Sequence, residues 1–242
     1  MTAKKVVVSI VGAVMLVFSL PASTGEIARF SVDMDSDGRT ELISLATESK
    51  ENDHGRSPLV LKVGSDTYRG EYFSAGGDLP EISFVRLDRA SGRVQIQLMD
   101  PGPAFCRYLF FSYSKSKLHL LLTYKDKCSG GPSIGGGGTV ATRHWMGFWS
   151  RIETYRLEKD GTVLVRATQK NYPVNEDATT VISFTAAQAN CTSSAFQSGM
   201  KVKIRTFDSV KSRYLIESTD GRCGWVSDRA MTELFTGLAW AG

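Results

Sequence analysis

Histidine and cysteine are scarce in this chain, three and four among 242 residues. No two cysteines stand in C-x-x-C spacing, which sets aside the commonest zinc and thiol-redox arrangements. G-x-S-x-G, H-E-x-x-H and a cysteine–histidine nucleophile pattern are all missing, so hydrolysis by those routes has no carrier, and the chain is expected not to be an enzyme. Carboxylates brought together from distant positions, as in a glycosidase-type envelope hydrolase, are the remaining catalytic alternative. No run of lysine and arginine interleaves with aromatics, which argues against nucleic acid as a partner. Beyond Leu20 no stretch is long and apolar enough to span a bilayer. No segment sustains an apolar period of 3.6 residues, and the only helix candidate is a short one near Thr185–Ala189.

The first residues are organised differently from the rest. Lys4 and Lys5 precede an apolar run from Val6 to Leu20, followed by Pro21 and the small residues Ala22-Ser23-Thr24-Gly25. That order is the layout of a secretory signal peptide, here residues 1–24. The run is shorter than the ~20 residues of a spanning helix; a retained anchor is the alternative. Cleavage would leave about 218 residues and lower the formal charge from +4 to about +2. The expected location is the periplasm, with no membrane attachment after cleavage.

The mature part reads as an all-β chain, sandwich or barrel-like. Runs such as IARFSV, ELISLAT, PLVLKV, VQIQLM, YLFFSY, LHLLLTY and VKIRTF are rich in β-branched and aromatic residues. Asp-Gly and Ser-Gly turns separate them, and several alternate apolar with polar residues, as a half-solvated sheet requires. Cys106, Cys128, Cys191 and Cys223 form an even set in an exported chain, which favours disulfides. Four cysteines allow three connectivities. Cys106–Cys128 with Cys191–Cys223 is preferred, because CRYLFFSY, the turn SKSK and LHLLLTYKDKC read as a hairpin. With Tyr113 facing Leu118, Cys106 falls opposite Lys125, and one bulge would bring Cys128 into range. The glycine-rich stretch Ser129–Gly138 reads as a long flexible loop. The small, polar stretch Ala186–Ser198 reads as a boundary between a domain over residues 25–187 and a β unit over residues 188–242.

The densest chemistry lies at Asp33-Met-Asp35-Ser-Asp37-Gly38-Arg39-Thr-Glu41. Carboxylates at positions one, three, five and nine, with glycine at six, suit a loop curled around Ca2+, the backbone carbonyl of Arg39 completing the set. Ser44 stands where an EF-hand places its twelfth-position glutamate, and the flanks read as strands. The loop is therefore a staple leading into a strand rather than an EF-hand.

D-x-D-x-D-G-x-x-E leading into a strand resembles the calcium loops of FG-GAP/VCBS-type repeats. In a single copy in an exported β-rich chain, it also resembles periplasmic immunity proteins related in fold to type I lysozyme inhibitors. The resemblance covers Phe30 to Leu45. It implies a calcium-braced binding protein that inhibits, or gives immunity against, a peptidoglycan hydrolase or other secreted effector by occluding its cleft. Ser129-Gly130-Gly-Pro-Ser133 begins like the inhibitory loop of such proteins, without its tyrosine. The surface expected to meet the partner is that loop, with Ser129, Gly130 and Ser133, and the adjoining Arg143, His144 and Trp145. The tail Asp220-Gly221-Arg-Cys-Gly224-Trp225-Val226 resembles the second half of a bacterial SH3-like domain. Such a tail implies cell-wall binding as the alternative function, with Trp225 either in the small barrel's core or at its ligand face.

Overall fold

The computed structural model describes residues 25–47, 55–73, 78–126, 128, 131–191 and 193–240. The expected signal peptide, Ser129, Gly130 and His54 lie outside these residues. The chain is all-β and divides into two compact units. The first comprises residues 1–142 and 154–166, the second residues 143–153 and 167–242.

The first unit is built from three antiparallel meanders in chain order. Strands β1 (Glu26–Val32), β2 (Glu41–Thr47), β3 (Arg56–Val63) and β4 (Asp66–Phe73) make the first sheet. Strands β5 (Glu81–Val85), β6 (Gln95–Asp100), β7 (Cys106–Ser114) and β8 (Lys117–Asp126) make the second. Strands β9 (Ser133–Ile134), β10 (Thr139–Trp145), β11 (Ser150–Leu157) and β12 (Leu164–Arg166) make the third, the tip of the β10–β11 hairpin belonging to the second unit.

The middle sheet is covered on both faces, and β7 shows why its sequence is apolar at nearly every position. Leu109, Phe111 and Tyr113 join a core with Phe30, Ile43, Leu61 and others of the first sheet. Tyr108 and Phe110 point the other way, into a core with Val140 and Leu164 of the third. A strand buried on both sides loses the alternation of a half-solvated one and becomes a continuous apolar run. At its edge a cross-strand pair is charged instead. Asp100 accepts from the Phe73 N–H at 2.9 Å and meets Arg107 at 2.7 Å, and Arg107 also donates to the Glu71 carbonyl. This polar clip ties β4 of the first sheet to the second.

The β7–β8 hairpin has the expected register. Tyr113 faces Leu118, and a bulge between the Phe110 and Phe111 pairs moves Cys106 opposite Asp126. That shift brings Cys106 within 4.8 Å of Cys128, Cα to Cα, and the disulfide forms. Cys191 and Cys223 form the second disulfide. Among the described residues no helix is long and apolar enough to cross a membrane.

The second unit centres on a six-stranded antiparallel sheet. In chain order it takes β13 (Asn171–Thr180), β15 (Ala187–Gln188), β17 (Lys201–Asp208), β18 (Arg213–Ser218), β19 (Cys223–Ser227) and β20 (Phe235–Thr236), with β14 (Phe184–Thr185) and β16 (Ala195–Phe196) pairing separately. A 3-10 turn, Asp228–Ala230, and one short helix, Met231–Leu234, precede β20. The helix expected near Thr185–Ala189 is instead the end of β14 and β15. Ala187 pairs with Trp225, and a Cβ on Gly224 would lie within contact-breaking distance of Ala186, so small residues are needed for close approach rather than for helix formation. The expected boundary at residues 187 and 188 also moves. β13, which pairs with β17 along most of its length, and the hairpin tip 143–153 both join the second unit.

The glycine-rich stretch is not a free loop over its described part. Ser133 and Ile134 pair with β10, and Gly138 N–H donates to Leu87 O at 2.7 Å while Arg89 N–H donates to Gly136 O at 2.9 Å. Gly136 has φ +73, and a Cβ there would lie 2.6 Å from Arg89 Nε. Glycine serves close backbone approach here, not mobility.

Candidate functional site

The acidic loop connects β1 to β2 and is anchored by a residue that carries no charge. Met34 is fully buried in the core between the first two sheets. Its N–H donates to Glu41 Oε2 at 2.8 Å, and its carbonyl accepts from Val94 N–H at 3.0 Å. With position two pinned, the alternate positions one, three and five turn outward together. Carboxylate oxygens of Asp33, Asp35 and Asp37 come within 4.8 Å of one another. Ser36 at φ 64 and Gly38 at φ 86 supply the left-handed turns that curl the chain. Asp33 accepts the Ser36 N–H at 2.7 Å and the Gly38 N–H at 3.0 Å, and Asp37 accepts the Arg39 N–H at 2.7 Å.

Asp35 Oδ1 is buried and has no hydrogen-bond partner. A buried carboxylate oxygen without a donor costs on the order of 1–3 kcal/mol unless something positive faces it. Glu41 does not join the tight group, since its carboxylate is turned to the Met34 amide. Burial, and then the neighbouring charges of Asp35 and Asp37, push its carboxyl above the ordinary value of 4.5 against that amide's pull. The donor set fits a hard divalent cation with Asp33, Asp35 and Asp37 as protein ligands. The Arg39 carbonyl, Glu41 and water are the natural sources of the further oxygens that calcium takes.

The described residues expected to meet a partner fall in both units. Ser133 is exposed at the start of β9 in the first unit, whereas Arg143, His144 and Trp145 belong to the second. Arg143 and Trp145, two apart on β10, share its outward side, and Trp145 is 42% exposed. His144 faces the other way and meets buried Glu153 at 3.3 Å, with Arg151 on the same carboxylate at 2.7 Å. Beyond them the hairpin turn buries Phe148 and Trp149 in the second unit's core, and Trp149 Nε1 donates to the Tyr214 hydroxyl at 3.0 Å. Gly147, at φ +99, lies against the ring of Trp240, where a Cβ would come to 2.9 Å. The tip is thus a braced platform with an aromatic and a guanidinium on its outer side. Arg151, Glu153 and Trp240 gave no sequence signal for this; only the hairpin's path brings them to it.

Trp225 is half-buried with the Arg213 guanidinium over its ring at 4.2 Å. His119 on β8 has Ser114 Oγ at 3.4 Å from Nε2, as a satisfied strand histidine should. No protein family, curated protein or solved structure matches this chain.

Proposed function

We propose that the chain is an exported, calcium-braced binding protein that neutralises a cell-wall-degrading enzyme by covering its cleft. The observation that carries the binding part is the β10–β11 tip. Arg143 and Trp145 stand outward on a hairpin whose other side is held by Trp149–Tyr214 and by the Glu153 ion pairs. Tryptophan and arginine on a rigid support are the side chains that most often dominate protein–protein affinity, because little entropy is lost when they dock. The class of partner comes from the resemblance of the acidic loop to those of periplasmic immunity proteins and lysozyme inhibitors. The two disulfides suit the oxidising compartment that this location supplies. Occlusion of this kind needs no chemistry from the inhibitor itself.

A second reading, cell-wall binding by the tail, is favoured by one feature. A groove over β13, β17 and β18 carries Lys201, Lys203 and Arg205 beside Asp177 and Glu217, charges of both signs that suit a zwitterionic peptide. The two are separated by assaying peptidoglycan lysis by secreted hydrolases with and without the mature protein, alongside co-sedimentation with isolated peptidoglycan. Inhibition that Trp145→Ala weakens at least tenfold supports the first reading. Sedimentation with the wall and unchanged lysis would sink it in favour of the second.

A further inference from the structure

Alternation along β17 gives the second unit's sheet two unlike faces. Val202, Ile204 and Phe207 are buried in the core, while Lys201, Lys203 and Arg205 stand on the other side. The β10–β11 tip meets the sheet from the core side, where Trp149 packs on Tyr172 of β13, Phe207 of β17 and Tyr214 of β18. On the opposite face β13, β17 and β18 form a groove of about 690 Å³, a size that suits a small ligand. Two ion pairs cross it, Asp177 with Lys203 at 3.7 Å and Glu217 with Arg205 at 2.6 Å. Lys201 meets no carboxylate among the described residues. The groove therefore carries one cation in excess, while Asp177, in the longer pair, is 86% exposed.

We infer that this groove is a second binding site, separate from the hairpin tip, for a short peptide with both ends free. Lys201 takes the peptide's carboxylate and Asp177 its ammonium group. In the register Lys203 stands opposite Asp177 and Lys201 opposite Thr179, so Asp177 and Lys201 are diagonal neighbours, about 7–8 Å apart. That is about the span of two extended residues. Thr179 offers its hydroxyl beside Lys201, on the same carboxylate. A ligand charged with one sign only would meet a like charge at one end of the groove, which sets a zwitterion apart from a polyanion. Because the core lies between the two faces, the groove and the tip can be filled at once. That pairing rests on the reading of the tip given above, whereas the groove stands on the geometry of the sheet.

Amide chemical shifts of the isotope-labelled mature chain, titrated with dialanine to about 20 mM, test this, since a ligand with Kd of about 1 mM is then near saturation. Shifts should cluster at residues 177–179, 201–205 and 217–219. Dialanine amide and acetyl-dialanine should each bind about three- to fivefold more weakly, as the loss of one exposed ion pair allows. Lys201→Gln should weaken dialanine by the same factor and no longer distinguish the acid from its amide, while Trp145→Ala should leave the titration unchanged. Scattered or absent shifts, or equal affinity for acid and amide, would overturn the site. Co-sedimentation with isolated peptidoglycan that dialanine competes away would name the wall as the peptide's source; dialanine binding without co-sedimentation would name free peptides. Hydrolase inhibition that persists in saturating dialanine supports two sites acting at once, and inhibition that dialanine abolishes refutes their independence. Wall lysis unhindered by the protein would remove the reading of the tip and leave the groove standing.

Discussion

Substituting Asp35 by alanine should have opposite effects with and without calcium. In a chelator, the wild-type loop holds an unpartnered buried oxygen beside two further carboxylates and near Glu41. Removing that group relieves repulsion and an unmet hydrogen bond. Because the side chain is partly exposed, the gain is at the low end of the usual penalty, about 1 kcal/mol or less. In calcium the wild type gains RT ln(1 + [Ca]/Kd). A weak extracellular-type site with Kd of about 0.1 mM gives about 1.4 kcal/mol at 1 mM calcium. For a domain of this size that is a rise of about 3–5 °C in melting temperature. The variant gains none of it. Paired thermal melts followed by circular dichroism read both effects. The wild type should rise by a few degrees with calcium, and Asp35→Ala should melt at or slightly above the wild type in chelator and below it in calcium. Equal destabilisation under both conditions would show that Asp35 acts as a packing residue, and the metal argument would fail.

Three further outcomes follow from the same geometry. Asp100→Ala leaves Arg107 partly buried beside the Glu71 carbonyl without its carboxylate, and should cost about 3–5 kcal/mol in urea unfolding, whatever the calcium concentration. The two-residue turn Lys115-Ser116 holds φ 51 and 60 at both positions, which β-hairpins normally assign to Asn-Gly; replacing the pair with Asn-Gly should stabilise by about 1 kcal/mol in the same assay. Glu41 is raised above 4.5, so its contribution favours the folded state below that value and is lost as pH rises through its folded pKa. The calcium-free protein should therefore gain stability on acidification from neutrality towards pH 5, while the calcium-induced shift in melting temperature shrinks. Asp66 and Asp160 have the opposite sign. Backbone amides, from Leu118 and Thr67 and from Thr162 respectively, hold them below 3.8, so their contribution disappears only in stronger acid.

The strands most easily read from sequence were those with strong local signals. Alternation in VQIQLM and the apolar run YLFFSY each reflect how many faces of the strand are buried. β13 was missed because NYPVNEDATT carries a proline, a bulge between Pro173 and Glu176 and only weak apolar alternation, and it is held by pairing with β17 on one side and β20 on the other. The Ala-Ala-Gln-Ala stretch suggested a helix because helix propensity is local, whereas its need for small side chains comes from Gly224 on a distant strand.

The sequence alone determined the all-β class, the hairpin that aligns Cys106 with Cys128, and the acidic loop, because each depends on spacing along a few neighbouring residues. Tertiary structure alone decided that Met34 pins the loop into the core, that Gly92 and Arg93 link it to two other turns, and that the glycine run is tied to Leu87 and Arg89. It also separated Arg143 and Trp145, which face outward, from His144, which is turned to Glu153. Most of those relations join residues tens of positions apart through close approach and burial, and no local pattern in the chain carries them.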